Sequence, residues 1–184
     1  KIHITPFGVE CEQFVPRKAN KVEGLVTVGT VKTLADKYGV DLLIDAFAQL
    51  VRDNDAALNG VRGGFRLLLV GDGPQRTDLE AQVDALGMRS IVTFAGRVLH
   101  SDVPAWLKRL DVYVAASRLD SESFGVAVIE ASSCGLPVVV SDVGGLPEVV
   151  QHDVTGLVVP RDDSAALCAA LKQLVLDDGL REAM

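Results

Sequence analysis

"FRLLLVGDGPQRTDLEAQVDALGMRSIVTFAG", residues 65–96, decides the fold. Two apolar runs, FRLLLVG (65–71) and SIVTFAG (90–96), flank a segment that opens at Pro74 and stops at Gly87. Proline at the start and glycine at the end are helix punctuation. The runs are continuously apolar rather than alternating, as strands covered on both faces are. Strand, helix and strand in that order make a βαβ unit, and βαβ units make a parallel sheet.

The same grammar extends in both directions. Strand-like runs recur at LVTVGT (25–30), DVYVAA (111–116), PVVVSD (137–142) and GLVVP (156–160). Between them, VDLLIDAFAQLVRDN puts Leu42, Leu43, Ala46, Phe47, Leu50 and Val51 on one helical face. SDVPAWLKRL offers Ser101 as an N-cap, FGVAVIEASSCG reads as a short helix from about Phe124, and DDSAALCAALKQLVLDD closes the series. The expected fold is α/β: a doubly wound parallel sheet of about six strands. Ligands of such a sheet bind at the carboxyl ends of the strands, where loops and helix N-termini converge.

The totals narrow the function. With 184 residues, 48% hydrophobic and 23% charged, the chain suits one globular domain with its own core. A net charge of -7 argues against a general nucleic-acid binder. Cys11, Cys134 and Cys168 are odd in number and widely spaced, which suits buried residues in a reducing compartment better than a disulfide frame or a metal site. No apolar run approaches the roughly 18 residues a membrane span needs. The chain opens at Lys1 with no apolar leader and stops inside a helix-like stretch, so a domain cut from a longer protein is expected.

Four strand-end features carry candidate chemistry. GDGP, Gly71 to Pro74, has the shape of a phosphate-binding turn, and equally that of a tight turn without a ligand. A dinucleotide fingerprint would need glycine near position 76, where Arg76 stands, and an acid after TFAGR, where none follows. Lys32 and Lys37 follow the first strand and could reach an anion held at the strand ends, although alone they read as solvated loop lysines. Gly144 and Gly145 read as a turn before a proline-led helix, with a second anion contact as the alternative.

The fourth is the pair Glu122 and Glu130, eight positions apart across SESFGVAVIEASS. An acid set next to a strand as apolar as PVVVS costs several kcal/mol unless it is paired or hydrogen-bonded. Vicinal ribose hydroxyls would satisfy one; a helix-capping Glu122 and a salt-bridged Glu130 are the plainer alternative.

Taken together these stretches resemble a known family. SRLDSESFGVAVIEASSCGLPVVVSDVGGLPEVVQHDVTGLVVP (117–160) closely resembles the donor-binding half of group 1 (family 4) retaining glycosyltransferases. LLLVGDGPQRTDLEAQVDALGM, IVTFAGRV and DKYGVDLLIDAFAQL do so in the same order, and ITPFGVECEQFVP resembles the linker between the family's two domains. The resemblance implies a GT-B fold, with residues 1–20 as linker region and 21–184 as the Rossmann-like, nucleotide-sugar-binding domain. It implies that Glu122 lies against the donor hexose and Glu130 holds the ribose hydroxyls. Amides of Phe124, Gly125 and Val126 would meet the sugar and diphosphate, and the loop of Arg97 and Val98 the base. Ser123 in the same loop, with Gly29, Gly71 and Gly73 at the strand ends, completes the expected donor contacts.

The implied reaction moves a hexose with retention onto a glycan or lipid-linked acceptor, in cell-envelope or capsular polysaccharide synthesis. It implies no metal and no cofactor, and a nucleotide sugar and an N-terminal acceptor domain as partners. It also implies a cytoplasmic location, with membrane association of the full-length enzyme open and the isolated fragment inactive. The sequence departs from the family at Thr30, where an arginine is usual; Lys32 is expected to replace it, beside Lys37. A sugar-nucleotide epimerase, a phosphorylase and a non-catalytic sugar-nucleotide-binding module are the competing expectations.

Overall fold

A computed structural model of the chain describes residues 8–16, 24–53, 64–122 and 124–184. The strands are β1 Leu25–Val31, β2 Gly64–Val70, β3 Val92–Gly96, β4 Val112–Ala115, β5 Val138–Ser141 and β6 Gly156–Val159. The helices are α1 Val40–Asp53, α2 Arg76–Ala85, α3 Val103–Leu107, α4 Val126–Ser133, α5 Leu146–Val149, α6 Ser164–Leu176 and α7 Asp178–Ala183. The six strands form one sheet in the order β3-β2-β1-β4-β5-β6, and every pairing is parallel. This is the expected doubly wound sheet.

Strand alternation sorts the apolar side chains onto two cores. Phe65, Leu67 and Leu69 of β2, Val112 and Val114 of β4 and Val139 of β5 meet the buried faces of α1, α2 and α6. Leu68 and Val70, Tyr113 and Ala115, and Val138 and Val140 meet α3, α4 and α5 on the other side. Runs such as VVV must therefore be apolar at every position. Phe14, from the lead segment expected to be linker, is buried in the second core. Of that expected segment, residues 1–7 and 17–20 lie outside the described residues.

Two local expectations change. Strand β1 runs on to Val31, so Gly29 lies inside it rather than at its end. Ser101 does not cap α3; it sits in a 3-10 turn, His100–Asp102, and that helix has no side-chain cap. Helix α6 does have one, for Asp163 Oδ1 accepts from the Ala166 amide at 2.8 Å. No helix among the described residues is long and apolar enough to cross a membrane.

The strand order creates one crevice. β1 lies between β2 and β4, and the connections leaving β1 and β4 run to opposite halves of the sheet. At such a switch point the two loops part and leave room for a ligand above the strand ends.

Candidate functional site

The crevice is lined by residues drawn from the two loops that diverge there. Lys32 follows β1, Glu122 lies in the loop after β4, and Lys32 Nζ sits 2.9 Å from Glu122 Oε1 across the gap. Both side chains are mostly shielded, at 17% and 15% exposure, so the pair is screened less than a surface one. Ser117 adds a long 3.5 Å contact from its hydroxyl to Glu122 Oε2. Lys37, five residues further along the first loop, joins Lys32 at a shared aromatic ring. Their ammonium groups lie 4.7 and 4.6 Å from the centroid of Tyr38.

Thr30 is buried in β1, and the Tyr113 hydroxyl on the neighbouring strand donates to Val31 O at 3.5 Å. Burial pushes the Tyr113 phenol well above its ordinary range, and the Glu122 and Glu130 charges raise it further. Position 30 thus holds a buried neutral residue, and the positive charge enters two residues later in the chain, at Lys32.

Glu130 lies on α4 and is only 7% exposed, on the side of the helix facing the crevice. Its carboxylate is matched by His100, whose Nε2 is 2.9 Å from Glu130 Oε1. His100 is itself largely open to solvent, and its ring stands 6.0 Å from that of Phe14. Both acids are therefore partnered, Glu122 by a lysine and Glu130 by a histidine, and Glu122 does not cap α4, which has no side-chain cap.

Two adjoining hollows share Lys32 and His100. The larger, about 680 Å³, is bounded by Val31 to Thr33, Gly71 to Gly73, Arg97 and Val98. The smaller, about 360 Å³, is bounded by Lys37, Tyr38, Glu122, Phe124 to Ala127 and Glu130. Val31, Val70, Val98 and Val103 line the first, and two lysines and two glutamates line the second. Among the residues expected here, the structure brings Lys32, Lys37, Glu122, Glu130, Gly71, Gly73, Arg97, Val98, Phe124, Gly125 and Val126 to these walls. Ser123 lies outside the described residues. Gly29 does not line them: a Cβ there would overlap the Leu68 carbonyl and the Leu110 side chain, so its bare Cα serves sheet packing.

The glycine turns also back the loops that carry the charged residues. In GDGP a Cβ at Gly71 would overlap the Lys32 carbonyl, and one at Gly73 the Leu34 carbonyl. The Lys32 and Leu34 amides donate to Val70 O and Asp72 O at 2.9 and 3.1 Å, so this turn is the backing of the Lys32 loop. Gly144 and Gly145 do the same for the acid. The Gly145 amide donates to Glu122 O at 2.9 Å, and a Cβ at Gly144 (φ +49°) would overlap that carbonyl.

The sequence reading missed Tyr38, His100 and Arg118. Arg118 joins the loop after β4 to the start of α1 through a forked pair with Asp41. Their only sequence signal is position, one on each strand-end loop. Among the described residues, no group of three or more His, Cys, Asp or Glu is arranged to hold a metal ion.

Comparisons with known proteins agree with this architecture. A mannosyltransferase of Mycobacterium tuberculosis, named as GDP-mannose-dependent and acting on phosphatidylinositol monomannoside, is 31% identical over 94% of this chain and 46% of its own length. The chain thus spans about half the length of the curated relatives it matches. The solved C-terminal domain of a group 1 glycosyl transferase from Francisella tularensis overlays 96% of this chain and 92% of its own, with a TM-score of 0.79 and 22% identity. HepE of Anabaena, solved with UDP-glucose, is 28% identical over 85% of this chain and 41% of its own, with a TM-score of 0.71. Residues 12–184 match the family described as Glycosyl transferases group 1, and the chain belongs to it.

Proposed function

We propose that the chain is the donor-binding domain of a retaining glycosyltransferase, which takes a nucleoside-diphosphate hexose as donor and a glycan or lipid-linked acceptor in cell-envelope or capsular polysaccharide synthesis. One observation carries the reading: two lysines from the segment after β1 and two carboxylates from the segment after β4, Glu130 on α4 itself, converge at the β1/β4 switch point. The donor specificity named for the mycobacterial relative and the ligand in the Anabaena structure support a nucleotide sugar.

The chemistry follows from the charges. As the glycosidic bond breaks, negative charge grows on the departing diphosphate and positive charge on the sugar ring. Lys32 and Lys37, gathered at the Tyr38 ring, meet the first, together with the amides that open α4. Glu122, held beside Lys32, orients the hexose and faces the second. Glu130 accepts from the ribose hydroxyls, which take over from the exposed His100. The base enters the larger hollow beside Arg97 and Val98. Acceptor binding and transfer fall to the remainder of a two-domain enzyme, so this chain alone binds donor and transfers nothing.

Calorimetric titration with UDP, GDP and ADP, each with and without magnesium, tests this. Binding of one of the three that does not depend on magnesium is expected; no binding of any by the folded chain would contradict the proposal.

A further inference from the structure

We infer that Arg118 is a positioning residue for Lys37, a clamp that fixes the β1–α1 loop so that this lysine meets the diphosphate; the inference rests on the donor reading above. The contacts of Arg118 bracket Lys37 on both sides along the chain. Its backbone amide donates to Lys37 O at 2.9 Å. Nη1 donates to Asp36 O and Oδ1 at 3.2 and 3.1 Å, just before Lys37. Beyond it, Nη1 and Nη2 fork onto Asp41 Oδ1 and Oδ2 at 2.8 and 2.7 Å. Nε donates to Asp162 Oδ1 at 2.7 Å, and Asp162 holds a left-handed φ of +55° that a non-glycine residue seldom adopts. One guanidinium thus ties together the loops after β1, β4 and β6.

The geometry separates this role from that of a phosphate ligand. Three carboxylates already meet the Arg118 charge. The residue touches Lys37 only through its backbone and leaves Nζ at the Tyr38 ring. Lysine cannot replace it, because a point charge does not reproduce a planar fork that reaches three directions at once.

The experiment compares the chain with Arg118→Lys, Arg118→Ala, Asp41→Asn, Lys37→Ala and the Lys37→Ala/Arg118→Ala pair. Each is titrated with UDP, GDP, ADP, uridine, guanosine and adenosine by NMR shift mapping, and its melting midpoint is recorded. Arg118→Lys and Arg118→Ala should weaken the bound diphosphate about tenfold, leave the matching nucleoside unchanged, and add nothing to Lys37→Ala. Asp41→Asn decides between positioning and simple field. It removes a negative charge, so a Coulombic effect alone would tighten diphosphate binding, whereas loss of the clamp loosens it. Tighter or unchanged binding in Asp41→Asn overturns the inference. Equal loss for nucleoside and diphosphate, or full additivity with Lys37→Ala, also overturns it while leaving the donor reading intact. A wild-type chain that binds none of the six probes overturns the donor reading and this inference with it.

Discussion

Lys32 and Lys37 stand five positions apart and meet at one tyrosine ring, which makes their separate contributions measurable. Each replaced by alanine should weaken nucleoside-diphosphate binding roughly ten- to a hundredfold, the range for charge-assisted hydrogen bonds. Titration of both variants checks this, and a loss in Lys37→Ala with none in Lys32→Ala would remove Lys32 from the phosphate site. The cysteines give a second test at this scale. Burial pushes the Cys134 and Cys168 thiols up, so both stay protonated and shielded near neutral pH, whereas Cys11 is exposed. An aromatic disulfide reagent at mildly alkaline pH should therefore titrate one thiol quickly and the other two only after denaturation. Two or three fast thiols would mean that α4 and α6 are packed more loosely than described.

At the scale of elements, the strand-end turns support the chemistry from behind. Gly144→Ala should displace the Glu122 loop, since the new Cβ would overlap its carbonyl oxygen and the backbone there is left-handed. A cost of about 2 kcal/mol or more is expected from strain and overlap together. Donor affinity should fall with it. Gly87→Ala is the matched control: its φ is +69°, but a Cβ there meets nothing within 4 Å. It should lose about 1 kcal/mol of stability and no affinity. Thermal melts and titrations of both variants decide whether the turn acts through Glu122. The roles of these glycines were not legible in the sequence. GDGP and GG each announce a turn, but the partners that need the room, Lys32, Leu34 and Glu122, lie between 22 and 39 positions away. The pairing of Arg118 with Asp36, Asp41 and Asp162 was hidden for the same reason. By contrast β2, α2 and β3 were legible to within two residues, because apolar runs, proline and glycine act locally.

At the scale of the whole molecule, one parallel sheet buried on both faces fixes the site by its order alone. Core and cleft should therefore respond independently. Leu67→Ala, at a fully buried position beneath α1 and α2, should cost about 2–5 kcal/mol and lower the melting midpoint by several degrees. Donor affinity measured well below that midpoint should stay unchanged. The sheet was readable from hydropathy because strands covered on both faces leave no polar register. The glutamate pair stood out because acids are costly there, while His100, an ordinary polar residue on an exposed turn, carried no such mark. The measurement that tests the central claim most directly is a titration of the preferred nucleoside diphosphate beside its 2′,3′-dideoxy counterpart, on the wild-type chain and on Glu130→Ala. Wild type should favour the ribose form by about tenfold or more, as hydrogen bonds to a shielded carboxylate require. That preference should vanish in Glu130→Ala, which binds both forms alike. Equal binding of both forms by the wild type, or a preference that survives in Glu130→Ala, would contradict the placement of the ribose on Glu130.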